Sequence, residues 1–161
     1  MSTRDLNRNE ISLAKTVFVD TLPYDRIRVT DVLGFQNRPY TLCYPNVDDS
    51  ALSTYKINAG PVGFAGMERS DEQCETLIHE LTHVWQAVYS IWPASYIFSS
   101  AFAQVTKGPA AYKYEAGHPW EQYNAEQQAH IVEDWFAEGR LQDFRLYPYI
   151  RDKIRNPKRW N

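Results

Sequence analysis

The chain has 161 residues, of which 43% are apolar and 23% charged, a composition that is typical of one globular domain and excludes extensive disorder. The formal net charge is −3, and no stretch approaches 18 consecutive apolar residues, so we expect no membrane insertion. The N-terminal residues contain no apolar segment followed by a small-residue cleavage site, which predicts a chain without a secretory signal peptide.

The first third of the chain predicts a short helix and a small, mostly antiparallel sheet. Residues 10–20 are expected to form a short helix that runs into a strand. Three strand candidates follow at residues 25–35, 38–47 and 53–60, with turn-forming residues at their ends.

A long helix is predicted to begin at Ser70. Gln73, three residues later, completes a capping-box pattern, and the helix must end before Pro93 because proline cannot continue it. Apolar side chains recur at helical spacing and form one stripe, which consists of Leu77, Leu81, Val84, Trp85 and Val88.

A second strong helix is predicted to begin after Asn124. Gln127 completes its capping-box pattern, and the helix is expected to end near Glu138, ahead of Gly139. Its predicted buried stripe consists of Ala125, Ala129, Val132 and Phe136, flanked by Ile131 and Trp135. A short final helix is expected at residues 149–155.

These elements predict an α+β fold in a single domain over residues 1–161. The strand-rich part is expected at about residues 10–66 and the helical part at about residues 70–161.

The charges are distributed unevenly along the chain. From Arg140 onward there are seven basic and two acidic residues, a net charge of +5, so residues 1–139 carry a net charge of −8. Because no recognition motif accompanies these charges, a solvated face or a brace is favoured over a nucleic-acid partner.

The motif with the clearest chemistry is His79-Glu80-x-x-His83 on the first long helix. Side chains four residues apart lie on one face of a helix, so the two histidines can bind one metal ion. Glu80 is rotated about 100° from His79 and stands beside the ion, where it can take a proton from a metal-bound water. The pattern predicts a metal-dependent hydrolase whose third protein ligand leaves one coordination position for water.

Four downstream residues could supply the third ligand. Metzincins continue the motif on the same helix with Gly and a further His, which this chain lacks, so that class is excluded. Glu126 is favoured because it lies in the first turn of the second helix, just off the predicted buried stripe. Glu133 and His130 on the same flank, and His118 before the helix, remain alternatives.

The stretch HELTHVWQ at residues 79–86, followed by YNAEQQAHIVEDWF at residues 123–136, resembles a known family. It is similar to the small zincin metallopeptidase domains of bacterial type VI secretion spike (VgrG-type) proteins, which belong to the glutamate-zincins. The resemblance covers chiefly residues 70–138 and implies a minimal zincin-like fold.

The resemblance implies that His79, His83 and Glu126 bind zinc and that Glu80 is the catalytic acid/base. Larger glutamate-zincins have an aspartate four residues after the third ligand, which orients a zinc-bound histidine. This chain has His130 at that position, so the partner of the ligand histidine is left open.

The motif and the resemblance together predict a zinc-dependent metallopeptidase that hydrolyses peptide bonds by a zinc-activated water, with Glu80 as general base. The tetrahedral oxyanion needs a further donor. His118 and Tyr123 are the candidates because both lie shortly before the second helix, and Tyr112 and Tyr114 are reserves.

A protein or peptide substrate is expected to bind in extended form at an exposed sheet edge, predicted at Ile57-Asn58-Ala59, although an interior strand is equally compatible. The resemblance implies an antibacterial toxin that is made in the bacterial cytoplasm and exported by type VI secretion on a VgrG-type carrier. It further implies action in the target-cell periplasm and inhibition by a cognate immunity protein. That compartment would permit a disulfide between Cys43 and Cys74.

Two other types of zinc protein remain open. In a non-catalytic binding or structural module, a fourth ligand such as His130 would close the site and make Glu80 superfluous. A peptide deformylase would take its remaining ligand from a cysteine, for which Cys43 is the candidate.

Overall fold

The structure is a computed structural model that describes residues 1–44, 53–66, 70–89 and 113–158. Within these ranges the fold is α+β. The strands are β1 (Thr3–Asp5), β2 (Ile27–Thr30), β3 (Tyr40–Tyr44) and β4 (Thr54–Asn58). The α-helices are α1 (Arg8–Phe18), α2 (Gly60–Ala65), α3 (Asp71–Tyr89), α4 (Ala125–Ala137) and α5 (Tyr147–Tyr149), the last continued by a π-helical turn (Ile150–Ile154). Short 3-10 turns lie at Tyr24–Arg26, Phe35–Asn37 and Trp120–Gln122.

The four strands form one mixed sheet in the order β1-β2-β4-β3. β1 is antiparallel to β2, and β3 is antiparallel to β4, whereas the central strands β2 and β4 are parallel. The sequence predicts a mostly antiparallel sheet, and two of the three strand pairs are antiparallel. The third pair is parallel because β4 lies between β2 and β3 instead of following β3 in a meander. Ile27 and Val29 of β2 lie beside Tyr55 and Ile57 of β4, and all four side chains are buried.

The position of β4 corrects the predicted substrate edge. β4 has hydrogen-bonded neighbours on both sides, so Ile57-Asn58-Ala59 does not form an exposed sheet edge. Within the described ranges, β3 is the strand at that side of the sheet, since it pairs with β4 alone.

Helix α1 covers most of residues 10–20, where a short helix running into a strand was predicted, and no strand follows it directly. Asn7 and Glu10 form a capping box at its start, and Glu10 also pairs with Arg4 at 2.7 Å. Val19 follows the helix with a φ of 48°, a left-handed conformation that turns the chain away from the helix axis. The next strand begins only at Ile27.

The two capping boxes predicted for the long helices are confirmed. The Ser70 hydroxyl accepts a hydrogen bond from the Gln73 amide, and the Gln73 side chain accepts one from the Ser70 amide. Asn124 and Gln127 exchange the same pair of bonds at the start of α4.

The buried face of α4 differs from the predicted stripe. The predicted centre included Ala125 and Phe136, which are only half-buried. The fully buried residues cover a wider arc of the helix and consist of Glu126, Gln128, Ala129, Ile131, Val132 and Trp135. The arc is wide because α4 packs against α3 and also against the C-terminal α5 segment.

The basic C-terminal segment braces the body of the protein. Arg155 donates hydrogen bonds to the main-chain carbonyls of Val17 and Thr16 at the end of α1, and its guanidinium lies over the Trp135 ring. Lys153 pairs with Glu121 at 2.5 Å. These contacts tie α1, α4 and the C-terminal turn around one core, which extends in sequence from Leu6 to Ile154.

No helix in the described part of the chain is both long enough and apolar enough to cross a bilayer.

Candidate metal centre

The packing of α3 against α4 brings the three predicted metal ligands together. His79 Nε2 lies 3.3 Å from Glu126 Oε2, and His83 Nε2 lies 3.6 Å from the same oxygen. The ligand atoms of these three residues all lie within 4.8 Å of one another. Helical spacing on α3 positions the two imidazoles, and the buried first turn of α4 positions the carboxylate, which is 1% exposed.

The chemistry of this cluster fits a zinc ion. His83 Nε2 is buried and has no hydrogen-bond partner among the described residues. A buried polar atom without a partner costs free energy, and most such atoms in folded proteins bind another group. Two imidazole nitrogens and one carboxylate oxygen form a ligand set that is typical of catalytic zinc sites.

The second nitrogen of His79 contacts Glu133. His79 Nδ1 lies 2.8 Å from Glu133 Oε2, and His130 Nδ1 lies 3.2 Å from the same oxygen. These three residues form a second group that could hold a cation, and the group shares His79 with the first. Glu133 therefore occupies the position of the histidine partner that the sequence left open, while His130 contacts that partner.

The second nitrogen of His83 contacts a buried amide. Gln86 Oε1 lies 2.8 Å from His83 Nδ1, and Gln86 Nε2 donates to the Ala125 carbonyl and to Gln128 Oε1. Both glutamines are 2% exposed. Neither glutamine was predicted from the sequence, although the three-residue spacing from His83 to Gln86 places these two residues on one face of the helix.

The electrostatics of the cluster favour a positive charge between its side chains. Burial by itself lowers the pKa of His79, but hydrogen bonds to Glu126 and Glu133 outweigh burial and raise this pKa to about 10. Burial alone would raise the pKa of Glu126, but the two imidazoles outweigh it and hold the pKa below its usual value. Since a proton and a metal ion compete for the same ring nitrogens, the site is also favourable for a metal cation.

Glu80 is buried beside β3, the outermost strand on that side of the sheet within the described ranges. It is 5% exposed, and its Oε2 accepts a hydrogen bond of 2.6 Å from the hydroxyl of Thr41 on β3. Thr41 was not predicted from the sequence, because its contact with Glu80 depends on which strand packs beside α3. This bond fixes one carboxylate oxygen of the predicted general base.

His118 and Tyr123, the predicted oxyanion donors, belong to a different cluster. The Tyr123 hydroxyl donates to the Glu115 carbonyl at 2.6 Å and accepts from the His118 amide at 3.1 Å. Both side chains line an open cavity of about 460 Å³, as does Tyr114, and none of the three predicted metal ligands lines it. The oxyanion role of His118 and Tyr123 stays a prediction, and Tyr112 lies outside the described residues.

The geometry does not support Cys43 as a metal ligand or as a partner of Cys74 in a disulfide. Within the described ranges, neither group that could hold a metal includes Cys43. Its side chain is buried in the core on β3, and Cys43 and Cys74 are thiols, not a disulfide. His130 is also absent from the group formed by His79, His83 and Glu126, so no fourth ligand closes that group in the described part of the chain.

Comparison with known proteins relates the chain to one type of bacterial protein. No family model matches it. It is 33% identical over 149 residues to the type VI secretion system spike protein VgrG2b of Pseudomonas aeruginosa, a match that covers 84% of this chain and 13% of the spike protein. The solved effector domain of Pseudomonas aeruginosa VgrG2b superposes with a TM-score of 0.61 at 27% identity, covering 94% of this chain and 83% of that domain. The chain is thus related in sequence and in fold to the effector domain of a type VI secretion spike protein.

Proposed function

We propose that this chain is a zinc-dependent metallopeptidase with a zincin-like active site. One observation carries the proposal: the nitrogens of His79 and His83 converge on the buried Glu126 carboxylate, and His83 Nε2 has no hydrogen-bond partner among the described residues. When bound, zinc supplies a Lewis acid that acidifies water and polarises a substrate carbonyl. Three ligands from the protein leave a coordination position for the reactants, as catalysis requires.

Glu80 is the proposed general acid and base. It follows the first ligand histidine directly, so helical geometry turns it to the side of the metal group instead of into it. The hydroxyl of Thr41 holds one carboxylate oxygen, and the other oxygen can take a proton from water and deliver it to the departing amine.

The proposed substrate is an extended peptide that pairs with the outer side of β3. Main-chain groups on an edge strand can add a further strand with little dependence on its side chains. β3 is also the strand that contacts Glu80 through Thr41, so a peptide bound along β3 would pass close to the general base.

The relationship to a VgrG2b effector domain supports a role as a type VI secretion effector. We propose export on a VgrG-type carrier, antibacterial action in the periplasm of the target cell, and inhibition by a cognate immunity protein. These roles concern the whole secreted protein, of which the chain corresponds to a small part in the spike relative.

Metal analysis combined with two substitutions tests the proposed peptidase. We expect one zinc per chain, weaker zinc binding in Glu126→Ala, and full zinc binding in Glu80→Gln with hydrolysis of a casein or peptide substrate lowered by about 100-fold or more. Glu72→Gln, an exposed change on the same helix, is the control and should retain activity. Undiminished hydrolysis by Glu80→Gln would remove Glu80 from the mechanism, and unfolding on chelation would favour a closed structural site.

A further inference from the structure

We propose that Gln86 and Gln128 are positioning residues that form an amide relay. The relay holds His83 in the tautomer that binds zinc through Nε2, and it ties this ligand to the segment before α4. The inference rests on the proposed zinc site, but it does not depend on peptide hydrolysis.

The orientation of the Gln128 amide is fixed by main-chain carbonyls. Its Nε2 donates to the carbonyl of Trp120 at 3.0 Å and to that of Tyr123 at 3.3 Å. A carbonyl oxygen can only accept a hydrogen bond, so the NH₂ group of Gln128 must face these two atoms. Its Oε1 is therefore directed to the other side, toward Gln86.

The Gln86 amide is held in one orientation in the same way. Gln86 Nε2 lies 3.0 Å from Gln128 Oε1 and 2.9 Å from the Ala125 carbonyl, and both of these atoms are acceptors. Gln86 must therefore present its own Oε1 to His83 Nδ1, at 2.8 Å. An amide oxygen accepts only, so Nδ1 carries the proton, and in the neutral ring the lone pair lies on Nε2.

The relay directs that lone pair at the third ligand. His83 Nε2 lies 3.6 Å from Glu126 Oε2, close enough for both atoms to bind one metal ion. Gln86 also bonds to the carbonyl of Ala125, the residue directly before Glu126. One side chain thus sets the tautomer of a ligand on α3 and the position of the ligand on α4.

Burial supports a specific role for these two amides. Both are 2% exposed at the contact between α3 and α4, where apolar side chains would pack without any demand for hydrogen bonds. Buried polar groups are costly unless every member of the network is satisfied, as the described donors and acceptors of this relay are.

Zinc affinity, measured by competition with a chromogenic chelator, tests the relay in the full chain. We expect Gln86→Met to lower zinc affinity by about 10- to 100-fold, as loss of a ligand's hydrogen-bond partner typically does. Gln128→Met touches no metal ligand, yet it should lower zinc affinity by at least about threefold, a smaller effect of the same kind because it acts through a second residue. The double variant should bind zinc about as weakly as Gln86→Met alone, because Gln128 acts through Gln86.

Thr82→Val is the matched control for a structural effect. Thr82 is fully buried on α3, and its hydroxyl donates to the Ile78 carbonyl of the same helix. This variant can lose stability but should keep its zinc affinity within about twofold of wild type, since it leaves the relay and its ligand partners intact. If Gln128→Met does not fold, Gln128→Glu replaces it, since a carboxylate keeps the acceptor for Gln86 but cannot donate to the two carbonyls.

The outcomes separate the relay from the proposed function. If wild type binds zinc and the folded Gln86 and Gln128 variants bind it with the same affinity, the relay is overturned. The proposed zinc site is then unaffected. Additive losses in the double variant also overturn it, since independent residues do not form a relay. Failure of wild type to bind zinc overturns the proposed function, and the relay with it.

Discussion

His79 and Glu133 are joined by a contact of 2.8 Å between Nδ1 and Oε2, on the opposite side of the imidazole from Glu126. Glu126 and Glu133 are seven residues apart on α4, which is close to two helical turns, so both carboxylates lie on one stripe of the helix. The ring of His79 spans the gap between them. A carboxylate that accepts the second ring N–H of a ligand histidine fixes the ring and raises its basicity.

We therefore predict that Glu133→Ala lowers zinc affinity by about 10- to 100-fold. Glu133→Gln should have a smaller effect, because an amide oxygen still accepts the hydrogen bond but carries no charge. Competition with a chelator measures both values, and Glu138→Gln, at the exposed residue that follows α4, provides the charge-matched control. Equal zinc affinity in Glu133→Ala and wild type would mean that Glu133 does not orient the ligand.

A second prediction concerns Thr41, whose hydroxyl bonds to Glu80. Thr41→Val keeps the β-branched shape that the strand favours but removes the hydroxyl, so the Glu80 carboxylate loses its fixed orientation. Peptide hydrolysis should fall by about 10-fold, on the order of a lost hydrogen bond to a charged group, while zinc content stays at the wild-type value. A fall in zinc content equal to the fall in hydrolysis would instead place Thr41 in support of the metal ligands.

The pairing of His79 and His83 could be predicted from the sequence because helical periodicity is a local property. The spacing of His79 and His83 fixes their common face wherever α3 packs. Glu126 required one further step, namely that the buried first turn of an amphipathic helix faces a neighbouring helix, and the packing of α3 against α4 confirms this step.

The missed residues depend on contacts between distant segments. Thr41 contacts Glu80 only because β3 lies outside β4, and strand order follows from the return path of the chain, which no local pattern encodes. Gln128 is buried because α4 packs on two sides. A buried stripe that is predicted from apolar residues alone cannot include a glutamine. The candidate metal-binding residues can thus be found from local sequence spacing, whereas the residues that support them depend on contacts between distant segments.

A third prediction concerns the thiol of Cys43. Burial raises the pKa of this thiol to about 11, so its thiolate is scarce near neutral pH. Because the thiolate is the form that reacts, we expect iodoacetamide at pH 8 to modify Cys43 in the folded protein far more slowly than in urea. We also expect no Cys43–Cys74 bridge by non-reducing mass spectrometry after mild oxidation.

The same shift predicts a pH dependence of stability. The folded pKa of Cys43 lies above that of an unfolded cysteine, about 8.5, so the folded state favours the protonated thiol. Its contribution to stability is full below about pH 8.5 and is lost as the pH rises toward 11. The difference in unfolding free energy between wild type and Cys43→Ala should therefore shrink from pH 8 to pH 11, and a constant difference would contradict the raised pKa.

The last prediction concerns Arg155, which joins the C-terminal turn to α1. Its guanidinium donates to the carbonyls of Thr16 and Val17, which lie at the helix end where the backbone dipole favours a positive charge. It also covers the ring of Trp135 at 5.4 Å. Arg155→Ala should lower the free energy of unfolding by about 1 to 3 kcal/mol, as the loss of charged hydrogen bonds and a cation–π contact does.

Urea unfolding of the Arg155 variants measures this loss. Arg155→Lys should recover only part of it, because an ammonium group cannot reproduce the two-pronged bond to adjacent carbonyls. Arg151→Ala is the control, since Arg151 is an exposed residue of the same turn that pairs with its neighbour Asp152 and should change stability by less than about 0.5 kcal/mol. Equal losses in Arg155→Ala and Arg151→Ala would mean that the net positive charge of the segment stabilises the fold, and that the specific contacts between Arg155 and α1 do not.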